Sequence, residues 1–276
     1  MKPFIKYVGG KKQFLPLIEN YAKRIQFNRV IEPFCGSAAV TLFLRKEGSI
    51  ISDLCRELIY VYEVVRDYPK QLMFELDKLH PYNMDKVEYY EIRTQYNLLK
   101  SKEILKDEEK VRLSALYIFL NKNCYNGMYR VNSKGEFNTP VGRYKHVDLY
   151  EIKNINECSQ FLMNCKIINT DFLETTKTAC ADDLVILDPP YYLHTENYYN
   201  KDKFSFADQK RVYDECCRLD SLGIKFMAFN SNESEILNLY SNKFHISVII
   251  ANNSINSDSD NRKRKEILIT NIDYKE

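Results

Sequence analysis

The stretch "LVILDPPYY", Leu184 to Tyr192, constrains this chain more than any other. Its apolar run suits a strand buried on both faces, the kind found in parallel sheets. Proline has no backbone N–H and cannot continue a central ladder, so the strand must stop at Asp188. An acid is thereby left at the carboxyl end of a strand, followed by a stiff turn that carries aromatic rings. In an open α/β sheet that edge is where ligands bind.

Both ends of the chain repeat the pattern. "FLPLIENYAKRI" has helical spacing, "RVIEPF" reads as a short strand entering a glycine turn, "AAVTLFLRK" as a helix and "SIISD" as a strand ending in an acid. Further on, "CKIINTD" and "DLVILD" are strands ending in acids, and "FADQKRVYDECCRLDSLG" is a helix with Gly223 at its C-cap. "IKFMAF", "FHISVII" and "EILITNI" are further strands, and the hydrophilic "ANNSINSDSDNRKRK" reads as a mobile loop. Between these halves, "ELIYVYEVVRDYPKQLMFELDKL", "KVEYYEIRTQYNLLK" and "EEKVRLSALYIFLNK" read as amphipathic helices rich in tyrosine. The segment after them, "NCYNGMYRVNSKGEFNTPVGRYKH", is polar, basic and aromatic, with a β-hairpin in "RVNSKGEFN" turning at Ser133-Lys134-Gly135. The expected fold is therefore α/β, a mostly parallel sheet built from both ends of the chain around a helical insertion. The corresponding boundaries are residues 1–56 and 160–276 for the sheet domain and 57–159 for the insertion.

A net charge of +2 over 276 residues does not by itself argue for a nucleic-acid partner, so any basic surface has to come from local clustering. The eight cysteines form no C-x-x-C pair and the four histidines no zinc spacing. Reduced, mostly buried thiols and no metal are expected. "MKPFIKYVGGKK" lacks the apolar run of a signal peptide, and no stretch approaches the ~20 apolar residues of a membrane span, so a cytoplasmic protein is expected.

Three constellations carry chemistry. In "IEPFCGSAAV" a strand runs into Phe34, Gly36 and small residues, which lets the backbone approach a ligand closely, although a plain strand-to-helix turn would look similar. Asp53, ending the next strand, is suited to accept hydrogen bonds from ribose hydroxyls and equally to cap the helix of "DLCRELI", two roles that can coexist. Together they indicate an adenosine-containing cofactor. In "DPPYY", Asp188 and the Pro189 carbonyl offer two acceptors, Pro189 and Pro190 stiffen them, and Tyr191 supplies a flat face. Such a set fits a planar group bearing –NH₂. In the basic segment, Arg130, Lys134, Arg143 and Lys145 supply charge. Asn126, Asn132 and Asn138 can read base edges, and Tyr125, Met128 and Tyr129 can wedge between bases.

The chain resembles the Dam-like family of DNA adenine-N6 methyltransferases that use S-adenosylmethionine. "FIKYVGGKK" is similar to the family's N-terminal cofactor motif, "IEPFCGSAAV" to its glycine motif and "ISDLCRELI" to its acidic ribose motif. "CYNGMYRVNSKGEFNTPVGRY" is similar to its target-recognition hairpin and "DPPYY" to its D-P-P-Y motif. Their order is that of the alpha group of amino methyltransferases. The resemblance implies a Rossmann-like class I methyltransferase sheet with an inserted helical target-recognition domain carrying the hairpin. It also implies a cytoplasmic enzyme of bacterial or phage origin that acts on double-stranded DNA, methylating N6 of adenine within GATC by base flipping and direct transfer.

By the same resemblance, Tyr7 and Lys11 line the cofactor site, with Phe34 and Gly36, while Asp53 takes the ribose. Asp171 and Phe172 hold the cofactor's adenine, Asp188 touches both the cofactor's methionine part and the target amine, and Asp188, Pro189, Pro190 and Tyr191 form the catalytic turn. Tyr7 stands where many family members have tryptophan. Lys6, Tyr125, Asn126, Met128, Arg130, Asn132, Lys134, Pro140, Arg143 and Lys145 face DNA. Tyr125 and Met128 fill the space of an extruded base, Arg130 reads a guanine, and Arg143, Lys145 and Arg262 to Lys265 hold phosphates. A monomer suffices for one flipped base, a dimer is also compatible, and a cognate restriction endonuclease would act separately. The competing expectations are a methyltransferase acting on RNA adenine or a glutamine amide, and an inactive DNA-binding relative.

Overall fold

The computed structural model describes residues 1–83, 85–192, 204–252 and 263–273, without the side chains of Asn252 and Lys263. Among these, the strands are β1 (Arg29–Glu32), β2 (Ile50–Asp53), β3 (Lys166–Asn169), β4 (Asp183–Leu187), β5 (Lys225–Ser231), β6 (His245–Asn252) and β7 (Lys263–Thr270). They form one seven-stranded sheet in the order β3-β2-β1-β4-β5-β7-β6. β1 is parallel to β2 and β4, and β4 is parallel to β5. β7 inserts antiparallel between β5 and β6. The Rossmann-like α/β sheet expected from the sequence is what the chain forms.

The chain divides into two compact units. One comprises Met1–Lys11, Gly36–Arg45 and Asp53–Asn169, and the other Lys12–Cys35, Lys46–Ser52 and Thr170–Glu276.

The second unit is organised on β4, which is buried along its whole length. Val185 sits in register with Ile31 of β1 and Phe226 of β5, so apolar side chains meet across the central strands. The Arg29 guanidinium pairs with Asp183 at the start of β4, with Nε donating to Oδ1 at 2.7 Å. The unit also holds α1 (Leu15–Ala22), α8 (Phe172–Thr176), α9 (Phe206–Ser221) and α10 (Ser234–Tyr240). α9 starts cleanly because Ser205 and Asp208 cap each other's backbone amides, and it packs on β5 and α10.

The first unit holds α2 (Ala39–Leu44), α3 (Arg56–Asp67), α4 (Pro69–Leu79), α5 (Lys86–Lys100), α6 (Asp107–Asn123) and α7 (Ile152–Leu162). α6 is its centre, contacted by α3, α4 and α5. From Leu113 to Asn121 every residue of α6 is buried, so the helix read as amphipathic is instead enclosed on all sides over that stretch.

Other sequence readings need correction. "ELIYVYEVVRDYPKQLMFELDKL" is two helices, because Pro69 cannot bond back into α3 and starts α4 instead, while Tyr68 leaves helical geometry at φ −131°. α7, α8 and α10 were not foreseen. In "ANNSINSDSDNRKRK", Ala251 and Asn252 end β6 and Lys263 to Lys265 open β7, so its flanks are sheet; residues 253–262, including Arg262, lie outside the described residues. No helix among the described residues is long and apolar enough to cross a membrane.

Candidate active site

In the second unit, β4 delivers the D-P-P-Y turn. Asp188 follows the strand's last residue and is half-buried, Pro189 is buried and Pro190 is exposed. The turn is tied down by groups that the reading of the sequence did not single out. Gln209 of α9 donates through Nε2 to the Pro190 carbonyl at 2.8 Å, and its Oε1 accepts from Asn230 Nδ2 at 2.8 Å. Asn230 Oδ1 in turn accepts the Tyr192 N–H at 3.4 Å, and Ser231 Oγ donates to the Tyr192 carbonyl at 2.5 Å. Gln209, Asn230 and Ser231 are all essentially inaccessible to solvent. Buried amides are costly unless hydrogen-bonded, and these satisfy one another while fixing the turn.

Tyr191 donates its hydroxyl to Glu266 Oε2 at 2.8 Å, and the Arg264 guanidinium lies 5.8 Å from its ring centre. Burial, with the charges of Asp188 and Glu266 adding to it, pushes the phenol well above its ordinary value, so it stays protonated.

The same unit brings together Phe34, Asp171 and Phe172. The Phe34 and Phe172 rings stack at 5.0 Å, and Phe204 meets Phe34 edge-on at 5.9 Å. Asp171 caps α8 by accepting the Leu173 N–H at 3.0 Å, and Arg211 donates to the same Oδ1 at 3.0 Å while its guanidinium lies 5.0 Å from the Phe172 ring centre.

The first unit brings together Tyr7, Gly36 and Asp53. Gly36 is left-handed at φ +46°, and a Cβ built on it would lie 2.8 Å from Tyr7 Cδ1, so the ring packs against the space a side chain would need. Tyr62 of α3 donates to the Gly36 carbonyl at 2.7 Å. Asp53 Oδ2 accepts the Gly36 N–H at 3.3 Å and Oδ1 the Cys55 N–H at 3.0 Å. Cys55, not Asp53, occupies the N-cap of α3, so the carboxylate ties the glycine turn instead of capping the helix. Burial pushes the Asp53 carboxyl up, against the pull of those amides. Lys11 is buried, with Nζ donating to the Gly9 carbonyl at 2.6 Å.

The basic segment, also in the first unit, forms the expected hairpin. Val131 bridges Phe137, flanked by Asn132 N–H to Glu136 O at 2.9 Å and Asn138 N–H to Arg130 O at 3.0 Å. Tyr125, Arg130, Lys134, Pro140, Arg143 and Lys145 are exposed, and Met128 is half-buried. Asn126 is left-handed at φ 54°. Asn132 spends its side chain on the turn, accepting from the amides of Lys134 and Glu136 at 3.0 Å each. Lys6 reaches the Lys122 carbonyl at 3.0 Å and covers the Tyr144 ring at 3.8 Å, and burial lowers its pKa. Tyr129, read as a base wedge, instead stacks inward on Tyr117 at 5.4 Å and is held by Lys100 at 2.9 Å.

Comparison with known proteins identifies the chemistry. Residues 7–255 match the family model of the D12 class N6 adenine-specific DNA methyltransferases. The type II methyltransferase M.MjaIII of Methanocaldococcus jannaschii is 36% identical over 98% of this chain and 99% of its own. The type II methyltransferase M1.LlaDCHI of Lactococcus lactis is 35% identical over 98% and 95%. A DNA adenine methylase of Serratia marcescens is 29% identical over 76% of each chain. This chain belongs to the D12 class of adenine-specific DNA methyltransferases, enzymes that carry a methyl group from a donor to DNA.

Proposed function

We propose that the enzyme transfers a methyl group from S-adenosylmethionine to N6 of an adenine flipped out of duplex DNA, within GATC. The observation that carries this reading is the immobilised turn after β4, where Gln209, Asn230, Ser231 and Glu266 hold the residues that follow Asp188. An adenine inside a duplex cannot offer its amine to such a turn and must be extruded.

The amine's lone pair is delocalised into the purine ring. The Asp188 carboxylate and the Pro189 carbonyl accept its two hydrogens, favouring a more tetrahedral nitrogen with its lone pair available. The Pro190 carbonyl accepts from Gln209, and the Pro189 carbonyl is the one this reading assigns to the substrate. Tyr191 stacks on the extruded base, its ring kept in place through Glu266. None of the cysteines lies in "DPPYY", so the transfer is direct, without a covalent enzyme intermediate.

The chemistry of the donor set suits S-adenosylmethionine. Asp53, an anionic acceptor on the glycine turn, takes the ribose hydroxyls, and Tyr7 and Lys11 line the same group of residues. Phe34, Phe172 and Asp171 offer an aromatic face with an acceptor beside it for the adenine. When bound, the donor supplies an already activated methyl, so the protein's task is alignment. The exposed, basic hairpin favours DNA over a peptide amide as substrate.

The test is single-turnover transfer to duplex DNA, with methylation mapping of plasmid from a host lacking adenine methylation. Asp188→Ala is expected to abolish transfer while DNA binding survives. Full activity in that variant, or methylation mapped away from GATC, would refute the corresponding part of the reading.

A further inference from the structure

The second arm of the hairpin, residues 135–139, pairs with the first arm on one edge. Its other edge is met by side chains from one face of α5. Tyr89 donates through its hydroxyl to the Thr139 carbonyl at 2.9 Å, and Arg93 through Nη1 to the Asn138 carbonyl at 3.4 Å. Asn97 makes the exchange a neighbouring strand would make: Nδ2 donates to the Phe137 carbonyl at 3.1 Å and Oδ1 accepts the Phe137 N–H at 2.8 Å. Lys100 donates to the Gly135 carbonyl at 2.8 Å.

The spacing fits the task. Steps of four, four and three residues keep these side chains on one helix face. The rise from Tyr89 to Lys100, about 16 Å, is comparable with the span of about 13 Å covered by four steps of extended chain. The helix thus takes the place of a third strand, and it satisfies backbone groups that would otherwise leave the hairpin edge unpaired.

The line of contacts continues to an exposed cation. Asn138, whose carbonyl is held by Arg93, accepts the Arg130 Nε–H on its side-chain Oδ1 at 2.9 Å. Its place on the hairpin therefore sets the direction of the Arg130 fork, which is exposed.

We propose that α5 is a template for sequence choice, and that Asn97 is a positioning residue that acts through Phe137 and Asn138 on Arg130. This rests on the reading that Arg130 contacts a base. A two-pronged contact to a base edge tolerates little displacement, so releasing the hairpin from α5 costs discrimination before it costs the reaction itself.

The experiment uses the full chain in single-turnover transfer from S-adenosylmethionine. Substrates are a duplex bearing the mapped site and duplexes altered at one base pair, with donor affinity and thermal unfolding measured alongside. Asn97→Ala is expected to lower the ratio of cognate to altered-site rates about tenfold with donor affinity unchanged. Asn97→Asp, which keeps the acceptor for the Phe137 N–H but sets a carboxylate oxygen against the Phe137 carbonyl, is expected to lose no less. Tyr89→Phe removes one tie while keeping a buried ring, and serves should Asn97→Ala not fold. Arg130→Ala is the control. If it relaxes site choice while the α5 variants slow all substrates in equal proportion, the template is overturned and the hairpin reading stands. If neither it nor the α5 variants change the ratio, the hairpin reading fails and the template with it.

Discussion

The side-chain amide of Gln209 donates to the carbonyl oxygen of Pro190 across 2.8 Å, so the first turn of α9 holds the second proline of the D-P-P-Y turn. Gln209→Leu would strip that carbonyl of its donor and leave the Asn230 amide, which is buried, without its acceptor. An unsatisfied buried group costs about 1–3 kcal/mol, so a lower unfolding temperature is expected. If the relay also positions the turn, the transfer step falls about 100-fold with donor and DNA affinities little changed. Single-turnover rates beside calorimetric unfolding separate the two effects. Lost stability at full rate would reduce Gln209 to a packing role.

Gly36 and Tyr7 make a second test. Alanine at position 36 must adopt φ +46° and place a methyl 2.8 Å from the Tyr7 ring. The backbone strain alone costs about 1–2 kcal/mol, and the ring must also move. Gly36→Ala is expected to unfold at lower temperature and to bind S-adenosylmethionine at least tenfold more weakly. Adding Tyr7→Ala to that variant relieves the clash and restores part of the stability, while donor affinity stays low. A double-mutant cycle by thermal unfolding and titration calorimetry reads both. Strictly additive stabilities would mean that the ring and the added methyl never meet.

Charge on the hairpin divides into two expected behaviours. Arg130 is oriented by Asn138, whereas Lys145 is an exposed cation. Lys145→Ala is expected to weaken binding on every duplex alike and to reduce its salt dependence, as loss of a phosphate contact does. Arg130→Ala is expected to relax sequence choice. Binding isotherms at several salt concentrations on matched and altered duplexes distinguish them, and a uniform loss in both variants would contradict the division.

What the sequence made legible follows physical locality. The strand before "DPPYY", the glycine turn and the Asp53 carboxylate are each written in a few adjacent residues, and each lies where the pattern put it. Gln209 escaped notice because a glutamine in an ordinary amphipathic helix carries no mark of burial; only the fold brings it to Pro190. Asn230 and Ser231 did leave a sign, since two polar residues closing the apolar β5 have to be explained by something they bind. The face of α5 was unreadable for a related reason. Tyr89, Arg93, Asn97 and Lys100 look like a solvated stripe until the hairpin is laid along them. The helix break at Pro69 was legible and was overridden by the apolar periodicity on either side.

Asp53 gives a prediction in pH. Burial raises its carboxyl above the ordinary value, more than the amides of Cys55, Gly36 and Leu54 pull it down. Between the unfolded value and this raised one, the native chain binds more protons than the unfolded chain. The contribution of this group to stability is therefore greatest below that window and is lost as pH rises through it, the reverse of a salt-bridged acid. Donor binding runs the other way. Ribose hydroxyls hydrogen-bond to the ionised carboxylate and favour it, so binding releases a proton and affinity falls as pH drops through the raised value. Asp53→Asn removes the titrating group: it is expected to bind S-adenosylmethionine weakly, with both slopes flattened. Titration calorimetry in two buffers of different ionisation enthalpy counts the released proton directly. If the asparagine variant keeps the parent's proton release and pH slope, the ribose does not sit on Asp53.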